Sequence, residues 1–511
     1  MVPGERAPLT APLVILGMEA GDADRIEKWA MAGHLPTIAS IMGRGCWGRL
    51  SGPEMVSEHG VWVSLFSGVS RSHHGYYYWR PLKPGTYELE LTDFERLSTL
   101  PFWSSLRGGT KKAAIIDPPE SHPLPGLSGV QLANWAPHNP RFATCAVPEA
   151  LLDDLRRRFG PPMYIEEAVD SSVVRDQSIY QGLLKQIEQK GELCRYLASR
   201  DRYDLILVNF FESHVAGHQF LKYSLPGGAD SDESGLSTAI QEVYGAIDRQ
   251  MGLLLAELPA GSNVFIVSNV GLHEEYPSQK LLENFCRQLG YQASAQPRSP
   301  RLGALKWSRR LMPGSWRDAA KSRLPRDVRE RLRAEQFRRA TNWRETTAFP
   351  IPALYTGFLR VNLRGREPEG TVESNREYEN LLDRLEDDLR RLVDPEANQP
   401  AVRKISRTIE LFGGGPPVSL PDLFVEWSPT PYIMRRVEHP EAVLVQEDLD
   451  FTRGSHHTHH GFVAAAGSSI RKTGRLGDLE VLDLAPTFLS LLDEPVRPHM
   501  SGKGIEEMVP L

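Results

Sequence analysis

The histidines of this 511-residue chain are the residues whose types and spacing most clearly suggest chemistry. His214 and His218 lie four residues apart, so in a helix both imidazoles would lie on the same face. A second group, from His456 to His460, has four histidines in five positions. Zinc and other transition metals bind imidazole nitrogen well, so two such groups favour metal binding over a solvated loop. A single histidine pair at this spacing could equally be structural.

Polar side chains follow two of the apolar runs in the sequence. Glu19 comes shortly after the run at residues 12–17, and Asn269 directly follows the run at residues 263–268, with His273 four positions later. Ligands of parallel α/β sheets bind at the carboxyl ends of the strands, so these side chains are candidate site residues. His273 could transfer protons or could be structural.

The stretch S-E-H-G at residues 57–60 predicts a turn that leads into a helix. Backbone N–H groups at a helix start attract anions, so a phosphate group could bind there. Glu58 would place a negative charge at the same point, either as a functional group or as an ordinary first-turn acid stabilised by the helix dipole. His59 beside it could transfer protons or could be structural.

Alternating strand-like and helix-like segments must position these residues. Short apolar runs typical of buried strands occupy residues 12–17, 112–117, 204–211, 263–268 and 461–466. The spacing of apolar residues predicts helices at residues 22–33, 35–43, 179–199, 238–257 and 483–492. This alternation predicts an α/β fold with a mainly parallel sheet sandwiched by helices.

The regular alternation stops near residue 296, which predicts three parts of the chain. We expect residues 1–295 to form the first part of the core, residues 296–430 to form a basic insertion and a smaller α/β cap segment, and residues 431–511 to complete the core with the histidine loop. Between Arg298 and Ala340 there are 14 Arg or Lys residues against 4 Asp or Glu, with a basic helix expected at residues 317–340. This stretch could be a solvated face or could help to cover an anionic substrate.

Composition places the chain among ordinary globular proteins, with 41% hydrophobic and 24% charged residues. It has no apolar run of about 18 or more residues, so we expect no membrane partner. Residues 1–11 lack the pattern of a signal peptide, and the four cysteines are far apart, which favours reduced thiols and a cytoplasmic location. A net charge of −6 argues against nucleic acid as a partner. The oligomeric state is left open.

Several strings of the sequence resemble those of one known family. L-V-I-L-G-M-E-A-G-D at residues 13–22 is similar to the family's V-I-G-L-D-G-A-D, and residues 35–41 are similar to its L-P-N-L-A-R-L. Further similar strings lie at residues 62–75, 361–370 and 483–487. On these motifs the chain resembles the type I phosphodiesterase/nucleotide pyrophosphatase family of the alkaline phosphatase superfamily. The resemblance implies an alkaline-phosphatase-like fold, two divalent metal ions, usually zinc, and a threonine or serine nucleophile.

The resemblance also assigns metal ligands residue by residue. The positions of the family's first metal fall on His214, His218 and His457. One of these histidines replaces an aspartate of the family, which leaves a three-nitrogen site of the kind that zinc binds well. The positions of the second metal fall on Glu19, Asn269 and Val270. Because an amide and an apolar side chain replace two ligands, we expect one zinc ion, with the second position empty or weak.

The family's nucleophile position falls on Glu58, which has no hydroxyl and cannot form the usual covalent phosphoenzyme. Ser57 is adjacent, but successive residues that enter a helix point in different directions. We therefore expect a hydrolase in which the metal lowers the pKa of water and Glu58 acts as general base or holds that water. His59 and His273 are candidates for proton transfer. The expected substrate is a small anionic molecule, either a phosphorus ester or another anionic ester.

Two other functions are compatible with the same residues. The scaffold could carry out a group transfer or lyase step in a biosynthetic pathway, or it could bind metal without catalysis. The metal content of the purified protein separates the last of these from the others. A panel of nitrophenyl phosphomonoester, phosphodiester and sulfate substrates then separates a hydrolase from an enzyme with different chemistry.

Overall fold

The computed structural model of the chain describes residues 11–136, 142–168, 171–225, 234–278, 280–295, 326–447, 449 and 452–508. These residues divide into two compact units. The first takes in the described residues of Met1–Tyr77, Asp93–Tyr276 and Phe451–Leu511, and the second takes in those of Tyr78–Thr92 and Pro277–Asp450. The part boundaries expected from the sequence, at residues 296 and 430, stay a prediction.

The secondary structure of the described residues follows the predicted alternation. The strands are β1 (Leu13–Met18), β2 (Cys46–Ser51), β3 (Ala113–Ile116), β4 (Gly129–Ala133), β5 (Cys145–Val147), β6 (Leu205–Phe210), β7 (Asn263–Ser268), β8 (Leu272–His273), β9 (Ala348–Ile351), β10 (Gly357–Val361), β11 (Val393–Asp394), β12 (Gln399–Pro400), β13 (Val402–Arg407), β14 (Leu423–Trp427), β15 (Arg436–His439), β16 (Ala442–Val445), β17 (His456–His457), β18 (Gly461–Ala466), β19 (Gly474–Arg475) and β20 (Leu479–Glu480). The α-helices are α1 (Ala23–Met31), α2 (Pro36–Arg44), α3 (Val61–Ser67), α4 (Arg71–His74), α5 (Ala150–Phe159), α6 (Val173–Ser199), α7 (Glu212–Ser224), α8 (Ala239–Ala256), α9 (Leu281–Gln288), α10 (Arg326–Arg339), α11 (Arg376–Arg390), α12 (Thr408–Phe412) and α13 (Leu484–Leu491). β7 and β18 have the bounds predicted from the sequence.

The first unit contains a ten-stranded sheet in the order β19-β2-β18-β7-β1-β6-β3-β4-β5, with β20 beside β2. β1 pairs in parallel with β6 and β7, and β3 pairs in parallel with β4 and β6. β18 runs antiparallel to β2 and β7, and β5 runs antiparallel to β4. The remaining pairs are parallel, so the prediction of a mainly parallel sheet is confirmed.

Helices cover both faces of this sheet. Val14, Leu16 and Met18 of β1 belong to a hydrophobic cluster that includes residues of α1, α2, α6, α7 and α8. Leu13 and Ile15 belong to a second cluster, which includes residues of α3 and α13. Because side chains alternate between the two faces of a strand, an all-apolar run suits a strand that is buried on both sides.

The parallel register brings three strand ends to one edge of the sheet. Met18 at the end of β1 pairs with Phe210 at the end of β6 and with Ser268 at the end of β7. Glu19, helix α7 and Asn269 follow these three ends, so the polar residues singled out in the sequence begin at the same edge.

The second unit contains two four-stranded sheets, in the orders β13-β14-β10-β9 and β12-β11-β15-β16. Their pairings are antiparallel, and α11 contributes Leu381, Leu385 and Leu389 to the hydrophobic cluster of this unit. The smaller α/β segment is thus present. Helix α10 belongs to the basic stretch, of which residues 298–325 lie outside the described residues. Among the helices of the described ranges, none combines the length and the apolar character needed to cross a bilayer.

Candidate functional site

Three buried imidazoles meet at the carboxyl edge of the large sheet. His214 and His218 are one turn apart on α7, and His457 comes from β17. The ring centroids of His214 and His218 are 4.5 Å apart, and each lies 4.9 Å from that of His457. Their candidate ligand atoms lie within 4.8 Å of one another, and this is the one such group of three His, Cys, Asp or Glu side chains in the described ranges.

Hydrogen bonds on the outer side of two rings orient their inner nitrogens. Nδ1 of His218 is 2.8 Å from the Ser455 hydroxyl, and Nδ1 of His457 is 3.3 Å from the Gly271 carbonyl oxygen. The two Nε2 atoms then lie 3.3 Å apart. Two nitrogens bound to one tetrahedral zinc at about 2.0–2.1 Å would be about 3.3–3.4 Å apart, so the spacing fits a shared zinc ion. Second-shell hydrogen bonds of this kind are usual around metal-binding histidines.

The residues at the family's second metal position are already hydrogen-bonded to protein donors. The Asn269 amide donates to one Glu19 carboxylate oxygen over 3.2 Å, and the Trp62 indole donates to the other. The Asn269 side-chain oxygen accepts the Ala20 N–H over 2.9 Å. Val270 is buried in the apolar cluster below α3. This network holds Glu19 and Asn269 together, and each of their side-chain oxygens accepts a hydrogen bond from the protein.

The Glu19 carboxyl group is buried close to a second acid. Burial, and after it the nearby charge of Glu120, raises the pKa of Glu19 to about 8. One carboxyl group and one amide are a weaker ligand set for a divalent cation than the several carboxylates that normally hold one. The roles of Glu19 and Asn269 as metal ligands stay a prediction.

Glu58 lies in the loop between a short 3₁₀ helix, Pro53–Val56, and α3. One carboxylate oxygen is 3.7 Å from Nε2 of His59, and the other is 4.0 Å from Nε2 of His456. That second oxygen is buried and has no hydrogen-bond partner among the described residues. Burial, followed by the neighbouring His457, holds the pKa of His456 well below its usual range, so His456 is uncharged near neutral pH.

Glu120 is a second acid beside this loop, which the sequence reasoning missed. Its carboxylate accepts the Gly60 N–H over 3.1 Å and lies 3.7 Å from Nδ1 of His59. Its backbone has a φ of 49°, in the left-handed region, and Asp117 three residues earlier has a φ of 51°. The N–H at the start of α3, where an anion was expected to bind, thus already has a carboxylate from the protein. The signal in the sequence that could have identified Glu120 is the polar stretch that follows β3.

Ser57 and Gly60 have structural roles in the same loop. The Ser57 hydroxyl accepts a hydrogen bond from Arg71 over 2.8 Å and donates one to the Tyr77 carbonyl over 3.2 Å. These bonds fix the orientation of the hydroxyl. Gly60 has a φ of 87°, and a Cβ there would lie 2.5 Å from the Tyr76 carbonyl oxygen.

His273 lies on β8, opposite His456 of β17. Its Nε2 is 2.7 Å from a Glu275 carboxylate oxygen, and its ring centroid is 6.3 Å from that of His456. The other histidines of the loop point elsewhere, since His459 contacts the Met55 carbonyl at 2.7 Å and His460 faces Asp24 at 4.0 Å. His59 is therefore next to Glu58, whereas His273 contacts Glu275 and faces His456.

Comparison with known proteins assigns the family. The family described as type I phosphodiesterase / nucleotide pyrophosphatase matches residues 13–440. The chain belongs to this family. Among solved structures it is similar to murine ectonucleotide pyrophosphatase/phosphodiesterase 5, an inactive variant in complex with AMP, at 11% identity over 96% of each chain with a TM-score of 0.47. The human protein of the same name gives 12% identity over 97% of each chain, with a TM-score of 0.47. None of the curated proteins matches.

Membership of the type I phosphodiesterase/nucleotide pyrophosphatase family confirms the resemblance seen in the sequence motifs. It also confirms the predicted enzyme class, so the protein is a hydrolase of this family. The family is typically metal-dependent, and this member has a possible histidine site for a metal. A small anionic substrate is consistent with the family's activity. The assignments of His214, His218, His457, Glu58, His59 and His273 stay predictions.

Proposed function

We propose that this protein hydrolyses a phosphorus ester of a small anionic molecule with a single zinc ion held by His214, His218 and His457. The observation that carries the proposal is the convergence of three buried imidazoles, two of which have Nε2 atoms 3.3 Å apart. Three nitrogen donors suit zinc, whereas calcium and magnesium prefer oxygen. When bound, zinc lowers the pKa of water and polarises an ester oxygen.

Glu58 is the proposed general base. Its buried carboxylate oxygen has no hydrogen-bond partner among the described residues, so it is an open acceptor for a proton from water. The uncharged His456, 4.0 Å away, does not neutralise it. His59, 3.7 Å from the other oxygen, is the proposed donor of a proton to the leaving group. His273 is the second candidate for that step.

Direct attack by water follows from the absence of a usable hydroxyl in this loop. Position 58 has a carboxylate, and the Ser57 hydroxyl is held by Arg71 and the Tyr77 carbonyl. The proposed reaction is thus one in-line displacement at phosphorus, with no covalent phosphoenzyme. The second metal position has no role in it, because Asn269 and Trp62 donate to the Glu19 carboxylate.

Metal analysis and a substrate panel test the proposal together. We expect one zinc per chain, and hydrolysis of a nitrophenyl phosphodiester that a chelator abolishes and added zinc restores. One bound metal without hydrolysis of any phosphomonoester, phosphodiester or sulfate would favour group transfer or lyase chemistry. Two metals per chain would restore the family's two-metal chemistry, and absence of metal would leave a non-catalytic homologue. The cytoplasmic location is part of the proposal and rests on the sequence alone.

A further inference from the structure

A buried guanidinium lies inside the loop that carries Glu58. Arg71, the first residue of α4, is fully buried. Its Nη1 donates to the Ser57 hydroxyl over 2.8 Å and to the His59 carbonyl over 2.5 Å. Its Nη2 donates to the Glu54 carbonyl over 2.6 Å and to the Ser57 carbonyl over 3.1 Å. One side chain thus makes four hydrogen bonds to residues 54–59.

These contacts include both sequence neighbours of Glu58. Ser57 on one side and His59 on the other are held by the same guanidinium, so the backbone at Glu58 has little freedom to move. Among the described residues, the Glu58 carboxylate itself has only distant partners, at 3.7 Å and 4.0 Å. Its position therefore depends on the backbone that Arg71 holds and not on hydrogen bonds of its own.

Glu54 holds the main chain of Arg71. The Glu54 carboxylate accepts hydrogen bonds from the main-chain N–H of Arg71 over 3.0 Å and from the Ser64 hydroxyl of α3 over 2.6 Å, and it lies 3.8 Å from Nε of the guanidinium. The contact thus links the loop to the first turns of both α3 and α4. A lysine at position 71 cannot reproduce the four hydrogen bonds of the guanidinium. An ammonium group has three donors at one point, whereas the guanidinium has five donors in a planar fork.

We propose that Arg71 is a positioning residue that holds the Glu58 carboxylate in place for proton transfer. The inference rests on the proposed role of Glu58 as general base. A displacement of about 1 Å at a catalytic group can lower the rate of the chemical step by about 100-fold. Loss of the guanidinium should therefore lower kcat, with little change in KM.

The test compares R71K with R360K in the zinc-loaded full chain. Arg360 is a matched control, because it is also fully buried and donates to main-chain carbonyls, including that of Val418 at 2.7 Å, within the second unit. We expect R71K to lower kcat for a nitrophenyl phosphodiester by about 10- to 100-fold, with KM changed by less than about twofold. In the E58Q background, R71K should lower kcat by less than about twofold, because both changes remove the same step. If R71K lowers kcat by the same factor in the E58Q background as in the wild type, the two residues act independently and the proposal is overturned.

Amide hydrogen exchange tests the same contact without activity. In R71K, peptides that cover residues 54–60 should exchange about tenfold faster or more, while R360K leaves them unchanged. Unchanged exchange at residues 54–60 in R71K would overturn the proposal even if the wild-type protein hydrolyses nothing. If R71K does not fold, S57A replaces it, since this change removes one acceptor of Nη1 and leaves the guanidinium. It should speed exchange in the same peptides, and unchanged exchange would again count against the proposal.

Discussion

The substitution Glu58→Gln gives the sharpest test of the proposed chemistry. Glutamine keeps the size of the side chain and its ability to accept a hydrogen bond, but it cannot take a proton as a base. We expect turnover to fall about 100-fold or more, the lower limit for a lost general base. This factor corresponds to about 2.7 kcal/mol of additional barrier.

The same substitution should have little effect on stability, for reasons visible in the structure. The Glu58 oxygens lie 3.7 Å from His59 and 4.0 Å from His456, both beyond hydrogen-bond distance. Because the pKa of His456 is well below its usual range, no ion pair to that ring is lost near neutral pH. Glu58 lies two residues before Gly60, the N-cap of α3. Even an acid in the first turn of a helix contributes at most about 1 kcal/mol, so we expect the Tm to change by less than about 4 °C.

The assay measures kcat and KM for a nitrophenyl phosphodiester, zinc content, and Tm by calorimetry, for the wild type, E58Q and E149Q. Glu149 is an exposed acid at the start of α5 and serves as the matched control, which should leave turnover and zinc unchanged. A fall in turnover confined to E58Q, with one zinc retained, would support the general base. Unchanged turnover in E58Q would refute the reasoning and leave Glu58 as a loop acid with no part in the chemistry.

Two substitutions and one stereochemical assay test the rest of the site. H218A should contain no zinc in elemental analysis, because the substitution removes one of the three ligands. The control H34A, at an exposed histidine, should keep its zinc, and full zinc in H218A would contradict the assignment. Hydrolysis of a chiral phosphorothioate diester should invert configuration at phosphorus, since no hydroxyl stands at position 58, and retention would indicate a covalent intermediate. G60A should lower the free energy of unfolding by about 1–3 kcal/mol in denaturant titrations. Alanine is strained at a φ of 87°, and its Cβ would clash with the Tyr76 carbonyl oxygen. Unchanged stability would mean that the loop adapts.

Much of the fold could be predicted from local pattern. An apolar run bounded by polar residues indicates a buried strand, and Asn263–Ser268 and Gly461–Ala466 were predicted with their observed bounds for this reason. The order of the strands could not be predicted in this way. β18 lies between β2 and β7 and runs antiparallel to both, which depends on contacts between segments far apart in the chain.

The candidate site shows the same division between local and long-range information. Helical spacing alone predicts that His214 and His218 share a face, because residues four apart are neighbours on a helix. His457 joins them from 239 residues beyond His218, through the pairing of β17 with β8. The family resemblance supplied that connection, since no local pattern contains it.

The sequence by itself determined the alternation of strands and helices, the helical histidine pair and the family. Tertiary structure alone decided which polar atoms are already engaged. Glu120 accepts the Gly60 N–H across 60 residues of chain, and Asn269 donates to Glu19 across 250. The loop that carries Glu58 surrounds the Arg71 guanidinium, because the start of α4 packs against residues 54–59. Periodicity records which face of an element is apolar, whereas a hydrogen bond depends on the distance between two atoms, and that distance is set only when the elements pack.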